Sequence, residues 1–401
     1  MTQVDRFHPG DIFISVVFLL TQILIARVLL PDWKKRLSSG IIRIIVAALA
    51  VVWVIAGTAI VLGIISMGRP LPWLPPLFAS ILSATEIIWA LISAVGVAVY
   101  LIARLLLRRT PAHAAGRRRA IETAAAVMVA APAALCVFGA FIERTRYRVV
   151  EIDLPLPDLH PDLDGVRISQ ISDLHVSPFL SVREAARVVD MTNELRAQLI
   201  FVTGDLITGP RDPLDATIAE LGRLRAEAGV LGCLGNHEIY AQCEDYTTIE
   251  ARRRGIEFLR MQAHQLRWGN GVLNVAGVDY QSIRHRPLYL RDADKLIVPG
   301  ASNLLLSHNP DVFPAAVRQG FDAVVAGHTH GGQVTVEILR QSLNLARFFT
   351  PFVAGLYRMD GRSCYVTAGI GTIGMPVRIG AAPEITLFRL TRADSLRKES
   401  L

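Results

Sequence analysis

The chain has 401 residues, of which 52% are hydrophobic, and its mean hydropathy of +0.39 exceeds that of an ordinary soluble enzyme. There is room for two domains. Residues 1–150 hold 16 Lys/Arg against 6 Asp/Glu, a net +10, and residues 151–401 hold 26 against 29, a net −3; the second part lacks the basic surface of a nucleic-acid domain, so no nucleic-acid partner is expected.

Four long apolar runs come first, at about 12–30, 44–67, 74–107 and 120–142. Each is long enough, at about 20 residues, to cross a hydrocarbon core. They predict an all-α transmembrane domain of four helices over residues 1–146. Asp5 and Asp11 before the first run, and Pro31-Asp32-Trp33 after it, argue against a signal peptide. Lys34, Lys35, Arg36 and Arg43 follow the first run; Arg104, near the end of the third, and Arg108, Arg109, Arg117, Arg118 and Arg119 after it mark the third loop; the second loop has only Arg69. The positive-inside rule places the first and third loops in the cytoplasm. A multi-pass protein of the cell membrane is expected, its C-terminal domain on the outer, periplasmic or extracellular, face. Arg144, Arg146 and Arg148 pull the other way, and three spans would reverse the sidedness. Gln22 and Glu86 lie inside runs. An intramembrane acid is a functional candidate, but Glu86 is a single isolated acid with no evident acidic or basic partner, which argues against a transporter.

The pattern changes at about Tyr147. Short apolar runs bounded by Gly, Asp, Asn and Pro predict buried strands at 166–171, 199–202, 230–234, 304–306 and 323–325. Further strands are predicted at 272–278, 363–367 and 384–390, and amphipathic helices at 183–196 and 214–227. Residues 147–391 read as one domain and 392–401 as a polar tail. Cys136, Cys233, Cys243 and Cys364 show no metal-type spacing and read as small buried apolar residues.

The residues just beyond the strands carry the chemistry. Asp173-Leu174-His175 comes after the first strand and Gly204-Asp205 after the second. Gly235-Asn236-His237-Glu238, His308 and Gly327-His328-Thr329-His330 come after the next three. Strand ends are rigid and the loops beyond them are open, which suits ligands held tightly while substrate enters. Carboxylate, amide oxygen and imidazole donors suit manganese, iron or zinc. In Asp173-x-His175 and His328-x-His330, alternate residues of an extended chain point the same way and can reach one ion. Glycine before Asp205, Asn236 and His328 allows a sharp turn or a close approach. The two oxygens of Asp205 suit it to bridge two ions. One His at a strand end is usually structural; five such features in order are not coincidence.

This series resembles the calcineurin-like metallophosphoesterase superfamily over roughly residues 165–390. Gly327-His328-Thr329-His330-Gly331-Gly332-Gln333, with Gly369-Ile370-Gly371 and Pro383-Glu384-Ile385, looks like a branch of membrane-tethered or exported phosphoesterases. That branch is related to UDP-diacylglucosamine hydrolases and to a vertebrate transmembrane metallophosphoesterase. The resemblance implies a four-layer αββα sandwich of α/β class with two divalent metal ions at the sheet edges. By motif position, Asp173, His175, Asp205 and His330 would hold one ion, and Asp205, Asn236, His308 and His328 the other. His237 would be the catalytic histidine beside the scissile phosphate. The expected reaction is phosphomonoester or phosphodiester hydrolysis by a hydroxide bridging the ions, on a substrate that the membrane anchor suggests is lipid-linked or part of the envelope. A non-catalytic membrane scaffold or sensor is the alternative. The sequence does not set the oligomeric state.

Four further positions carry two readings each. Glu238 either orients His237 or caps the next helix. Arg378 either meets a substrate phosphate or is a surface arginine. Asp279 either joins the site or is a turn residue. Phe348, Phe349, Pro351 and Phe352 either contact lipid or pack in the core.

Overall fold

The computed structural model describes residues 138–338, 341–374 and 376–393, with Gly40, Leu105 and Leu135 as single further positions. Apart from Leu105, Leu135 and residues 138–142, the four expected spans, with Gln22, Glu86 and Cys136, lie outside the described residues, as does almost all of the tail. Among the described residues no helix is long and apolar enough to cross a membrane. The chain divides into two compact units, residues 1–142 with 374–377, and residues 143–373 with 378–401. The second holds the strand-end motifs.

Fourteen strands and five α-helices are named in chain order. They are β1 (Arg148–Leu156), β2 (Arg167–Ile171), α1 (Val182–Glu194), β3 (Leu199–Val202), α2 (Leu214–Leu221), β4 (Val230–Gly232), α3 (Asn236–Tyr240), α4 (Glu244–Arg253), β5 (Ile256–Phe258), β6 (Gln262–Trp268) and β7 (Gly271–Gly277). Then come β8 (Ser302–Leu306), α5 (Phe313–Gln319), β9 (Ala323–Ala326), β10 (Thr335–Ile338), β11 (Gln341–Asn344), β12 (Gly355–Met359), β13 (Arg362–Val366) and β14 (Glu384–Arg392).

Two six-stranded sheets form, in the orders β1-β14-β2-β3-β4-β5 and β12-β13-β9-β8-β7-β6, and β10 and β11 pair separately. Strands β2 to β5 run parallel, as do β7, β8, β9 and β13. Alternation along each strand explains the layering, because successive side chains point to opposite faces. Leu199 and Phe201 join Leu304, Leu306, Ala323 and Val325 in a core between the sheets. Their neighbours Ile200 and Val202 pack instead against Val188 and Val189 of α1 and Ile218 of α2. Leu305, Val324 and Cys364 pack against Phe313 and Ala316 of α5. Three cores separate four layers, and the mixed α/β sandwich is as expected. Strands buried on both faces read as continuous apolar runs, which is why these were visible in the sequence. Each buried Leu, Ile or Phe contributes about 1.5–3 kcal/mol of transfer free energy.

The helix boundaries have local causes. Helix α1 starts at a reciprocal cap: the Glu184 amide donates to Ser181 Oγ at 3.3 Å and the Ser181 amide to Glu184 Oε2 at 2.8 Å. Helix α2 stops at Leu221 rather than continuing to Glu227 as predicted. Asn193 is the reason, since it donates to Arg223 O at 2.9 Å and accepts from the Arg225 amide at 2.8 Å, drawing the chain out of the helix. Cys233 and Cys364 are free and fully buried, and Cys243 is free and half-buried.

Candidate metal centre

The parallel strands of both sheets deliver the motif residues to one place. Asp173 and His175 follow β2, Asp205 follows β3, Asn236 and His237 follow β4, His308 follows β8, and His328 and His330 follow β9. Asp173, His175, Asp205 and His308 are at most 1% exposed. The backbone is bent there in an unusual way. Asp173, His175, Asp205, His328 and His330 all have φ between 47° and 75°. Positive φ is uncommon outside glycine, although Asp and His tolerate it better than most residues. Its concentration on five motif residues marks a built site. Two glycines serve close approach. A Cβ on Gly235 would fall on Asp205 Oδ1, and one on Gly327 would collide with Ser172 Oγ and Asp173 Oδ2.

The donor atoms converge. His175 Nε2 lies 3.1 Å from His330 Nε2 and 3.3 Å from Asp205 Oδ2. His330 Nε2 is 3.4 Å from Asp173 Oδ1. His308 Nε2 is 3.0 Å from Asp205 Oδ2 and 3.9 Å from Asp173 Oδ1. The donor atoms of Asp173, His175 and His330 lie within 4.8 Å of one another, as do those of Asp205, His308 and His328, and those of His175, Asp205 and His237. Donors held at about 2.0–2.2 Å from one ion stand about 3–3.5 Å apart, the spacing found here.

Second partners fix which nitrogen faces the centre. His308 Nδ1 lies 2.6 Å from Thr203 O, and His237 Nδ1 lies 2.6 Å from Thr208 O. A carbonyl only accepts, so each Nδ1 carries a proton, and in the neutral ring each Nε2 presents a lone pair. His175 Nδ1 sits 3.2 Å from Thr208 Oγ1, and His330 Nδ1 sits 3.4 Å from Gly371 O. His308 Nε2 and Asn236 Oδ1 are buried without a hydrogen-bond partner. A lone pair buried against carboxylates requires a cation, and the orphaned amide oxygen of Asn236 is a further hard donor. The residues fit divalent metal ions.

Electrostatics favour the metal-binding form at His328, His330 and Asp205, and the protonated form at His308 and Asp173 while no cation is bound. Burial works against charging His308, yet Asp205 and Asp173 outweigh it and push its pKa up to about 10. Burial, then the neighbouring His308, pushes His328 down to about 3. Burial, then His175 and Arg378, holds His330 well below the usual imidazole range. Burial also lowers His237. Burial raises Asp173, whereas for Asp205 His308 and His175 overcome burial and hold it well below the usual carboxylate range. Neutral imidazole and ionised carboxylate are the metal-binding forms.

His237 sits half-buried at the rim, its ring 4.7 Å from that of His175 and 5.5 Å from that of Tyr240. Its amide donates to Asp205 Oδ1 at 2.9 Å.

The residues with two readings now resolve. Glu238 does not touch the His237 ring. It is fully buried and accepts the amides of Gly235, Asp205 and Leu206 at 2.8, 3.0 and 2.7 Å. It caps α3 and also ties the Asp205 turn to it. Arg378 is neither on the surface nor free to meet substrate: it is fully buried among backbone carbonyls. Asp279 pairs with Arg260 at 2.9 Å, outside the centre. Phe352 is buried against Phe313 and Tyr357, while Phe348 and Phe349 are 84% and 77% exposed.

Four contributors went unassigned in the sequence, although Gly371 stands in the Gly369-Ile370-Gly371 motif. Thr203 O, Thr208 O and Gly371 O face histidine Nδ1 atoms as backbone carbonyls that any residue type supplies, and Thr208 adds its Oγ1 beside His175. Tyr280 lies with its ring 5.3 Å from His328 and 6.1 Å from His308; its place just after β7, beside a strand-end cluster, is the only signal that could have found it.

Known proteins resemble this chain in sequence. Residues 166–332 match the family model described as calcineurin-like phosphoesterase. A transmembrane protein with metallophosphoesterase domain from Danio rerio is 30% identical over 273 residues, covering 65% of this chain and 61% of the relative. Its counterpart from Bos taurus is 29% identical over 294 residues, 69% of this chain and 64% of the relative. The uncharacterized metallophosphoesterase YkuE of Bacillus subtilis is 28% identical over 240 residues, 57% of this chain and 79% of the relative. The chain thus spans less than two thirds of the length of the two vertebrate relatives.

Proposed function

We propose, from the premise that this chain carries a calcineurin-like metallophosphoesterase domain, that it hydrolyses phosphoester bonds at a dinuclear metal centre. One observation carries the two-ion reading: Asp205 stands between two donor sets, with His175 and His308 both 3.0–3.3 Å from its Oδ2. Asp173, His175, Asp205 and His330 would hold one ion, and Asp205, Asn236, His308 and His328 the other. Manganese, iron or zinc would supply Lewis acidity and a water of lowered pKa.

The chain's own groups do the remaining work. Thr203 O and Thr208 hold imidazole lone pairs toward the centre. His237, held through Nδ1, would act from Nε2: only as the imidazolium, after Nε2 has taken up a proton, would it protonate the leaving oxygen or stabilise the transition state. As a general acid it would contribute roughly 10²–10⁴-fold. Tyr280 and Tyr240 flank the histidines and would shape the substrate's approach.

A lipid-linked or envelope phosphoester at the membrane is the substrate class we propose. The four apolar runs support it, as do the relatives named transmembrane proteins. The exposed Phe348 and Phe349 support it too, because their loop is tied to the ligand segment: Asn344 Nδ2 donates to Gly331 O at 2.8 Å, and Thr329 Oγ1 to Val353 O. On this reading the runs anchor the protein as four spans, with the metal centre on the outer face. Purified full chain assayed with manganese, iron and zinc tests the proposal. The panel would hold phospholipids, UDP-linked lipids and chromogenic mono- and diesters. Turnover that depends on metal is expected; inactivity with every metal would favour the scaffold.

A further inference from the structure

We propose that Arg378 is a positioning residue for the Asp173–His330 half of the metal centre; this rests on the two-ion reading above. Arg378 is the largest fully buried side chain of the described residues. Its hydrogen bonds there all go to backbone carbonyls. Nη2 donates to Ala368 O at 2.9 Å and Gly369 O at 3.2 Å, and Nη1 to Ala381 O at 2.8 Å and His330 O at 3.4 Å. Nε donates to Gly371 O at 3.1 Å, which Nη2 also reaches. Burial lowers its pKa to about 10, which leaves it charged at neutral pH. A buried cation bound only to neutral carbonyls is costly, and core packing alone would be served by an apolar residue.

What those carbonyls belong to supplies the reason. The loop after β13 faces two ways. Its amides hold the Asp173 strand end, with Ile370 donating to Ser172 O at 3.0 Å and Gly371 to Asp173 O at 2.6 Å. Its carbonyl at Gly371 meets His330 Nδ1 at 3.4 Å. One loop therefore sets an aspartate and a histidine on opposite sheets, and Arg378 gathers that loop's carbonyls and the backbone of His330 into one fork. A carbonyl has two lone pairs, so Gly371 O serves both partners. The other half is held differently: His308 rests on Thr203 O, and the His328 amide donates to Asp173 Oδ1 at 3.0 Å. Arg378 thus acts directly on the Asp173–His330 subsite and reaches the other only through Asp173. Lysine offers three donors from a single point and cannot span these carbonyls.

The test uses purified full chain as wild type, Arg378→Lys and Arg378→Gln. Bound Mn²⁺ per chain and stepwise affinity are read by chelator competition, and amide exchange at Ile370 and Gly371 is followed in metal-free wild type. Expected is a variant whose first ion binds as in wild type and whose second binds about 10–100-fold more weakly, with Ile370 and Gly371 already protected in the metal-free wild type. Two unchanged affinities, or two that fall together, would overturn the proposal. So would loop amides that exchange freely until Mn²⁺ is added, since the metal would then organise the loop. Should neither variant fold, the exchange measurement on wild type decides. Wild type binding fewer than two ions would remove the dinuclear reading, and the exchange result would still decide the role of Arg378.

Discussion

The carboxylate of Glu238, at the start of α3, accepts the backbone amide of Asp205, on the loop after β3, at 3.0 Å. The same carboxylate takes the amides of Leu206 and Gly235 at 2.7 and 2.8 Å. The position of the central aspartate is therefore set through its own backbone by a residue outside the proposed ligand set.

Glu238→Gln tests this. Glutamine keeps one oxygen and turns an NH₂ toward amide donors, so at least one buried N–H loses its acceptor. The expected cost is about 1–3 kcal/mol, read by chemical denaturation of the metal-free protein, with weaker metal binding as a second readout. Unchanged stability would show that the three amides have other partners.

Asp205→Asn removes the charge that His175 and His308 share at 3.3 and 3.0 Å. Turnover is expected to vanish and bound metal to fall for both ions. A variant that kept its activity with full metal content would exclude a bridging role.

Gly235→Ala would push a methyl group onto Asp205 Oδ1. Overpacking of this kind costs about 1–3 kcal/mol, and here the displaced atom is a donor, so metal affinity should fall as well. Gly209→Ala is the control, since a Cβ there meets nothing within 4 Å; its stability should stay within about 0.5 kcal/mol of wild type. Equal behaviour of the two would discount the close approach.

The strands that carry the motifs were legible because burial on both faces makes them short apolar runs: Leu199–Val202 matches its predicted bounds. Strand β1 was not. Its partner is β14, with Arg148 opposite Glu384, and a pairing across more than two hundred residues leaves no local mark. The motif residues were legible as types in order. Their supports were not, because Thr203 and Gly371 act through carbonyls. Neither sequence reading of Arg378 holds, because its surroundings come from three separate segments. A charged residue suggests a surface until the carbonyls that enclose it are known.

Metal removal gives the last prediction. With the ions gone, His308 Nε2 faces Asp205 and Asp173, and its pKa of about 10 means that a proton takes the cation's place. Loading Mn²⁺ at pH 8 in weak buffer should therefore release a proton from this site, and loading above pH 10 should not. The folded pKa lies above the unfolded value of about 6.5. In the metal-free protein the protonated His308 thus contributes stability that is fully present below pH 6.5 and lost as pH rises through about 10. Bound ions offset that loss: at a free metal concentration of about 1,000 times Kd, each adds about 4 kcal/mol. Thermal melts from pH 6 to 10, with EDTA and with Mn²⁺, should diverge as pH rises, the EDTA series falling more steeply. His308→Ala should remove the proton release and flatten the EDTA series. Parallel curves for the wild type would show that His308 carries no proton in the metal-free centre.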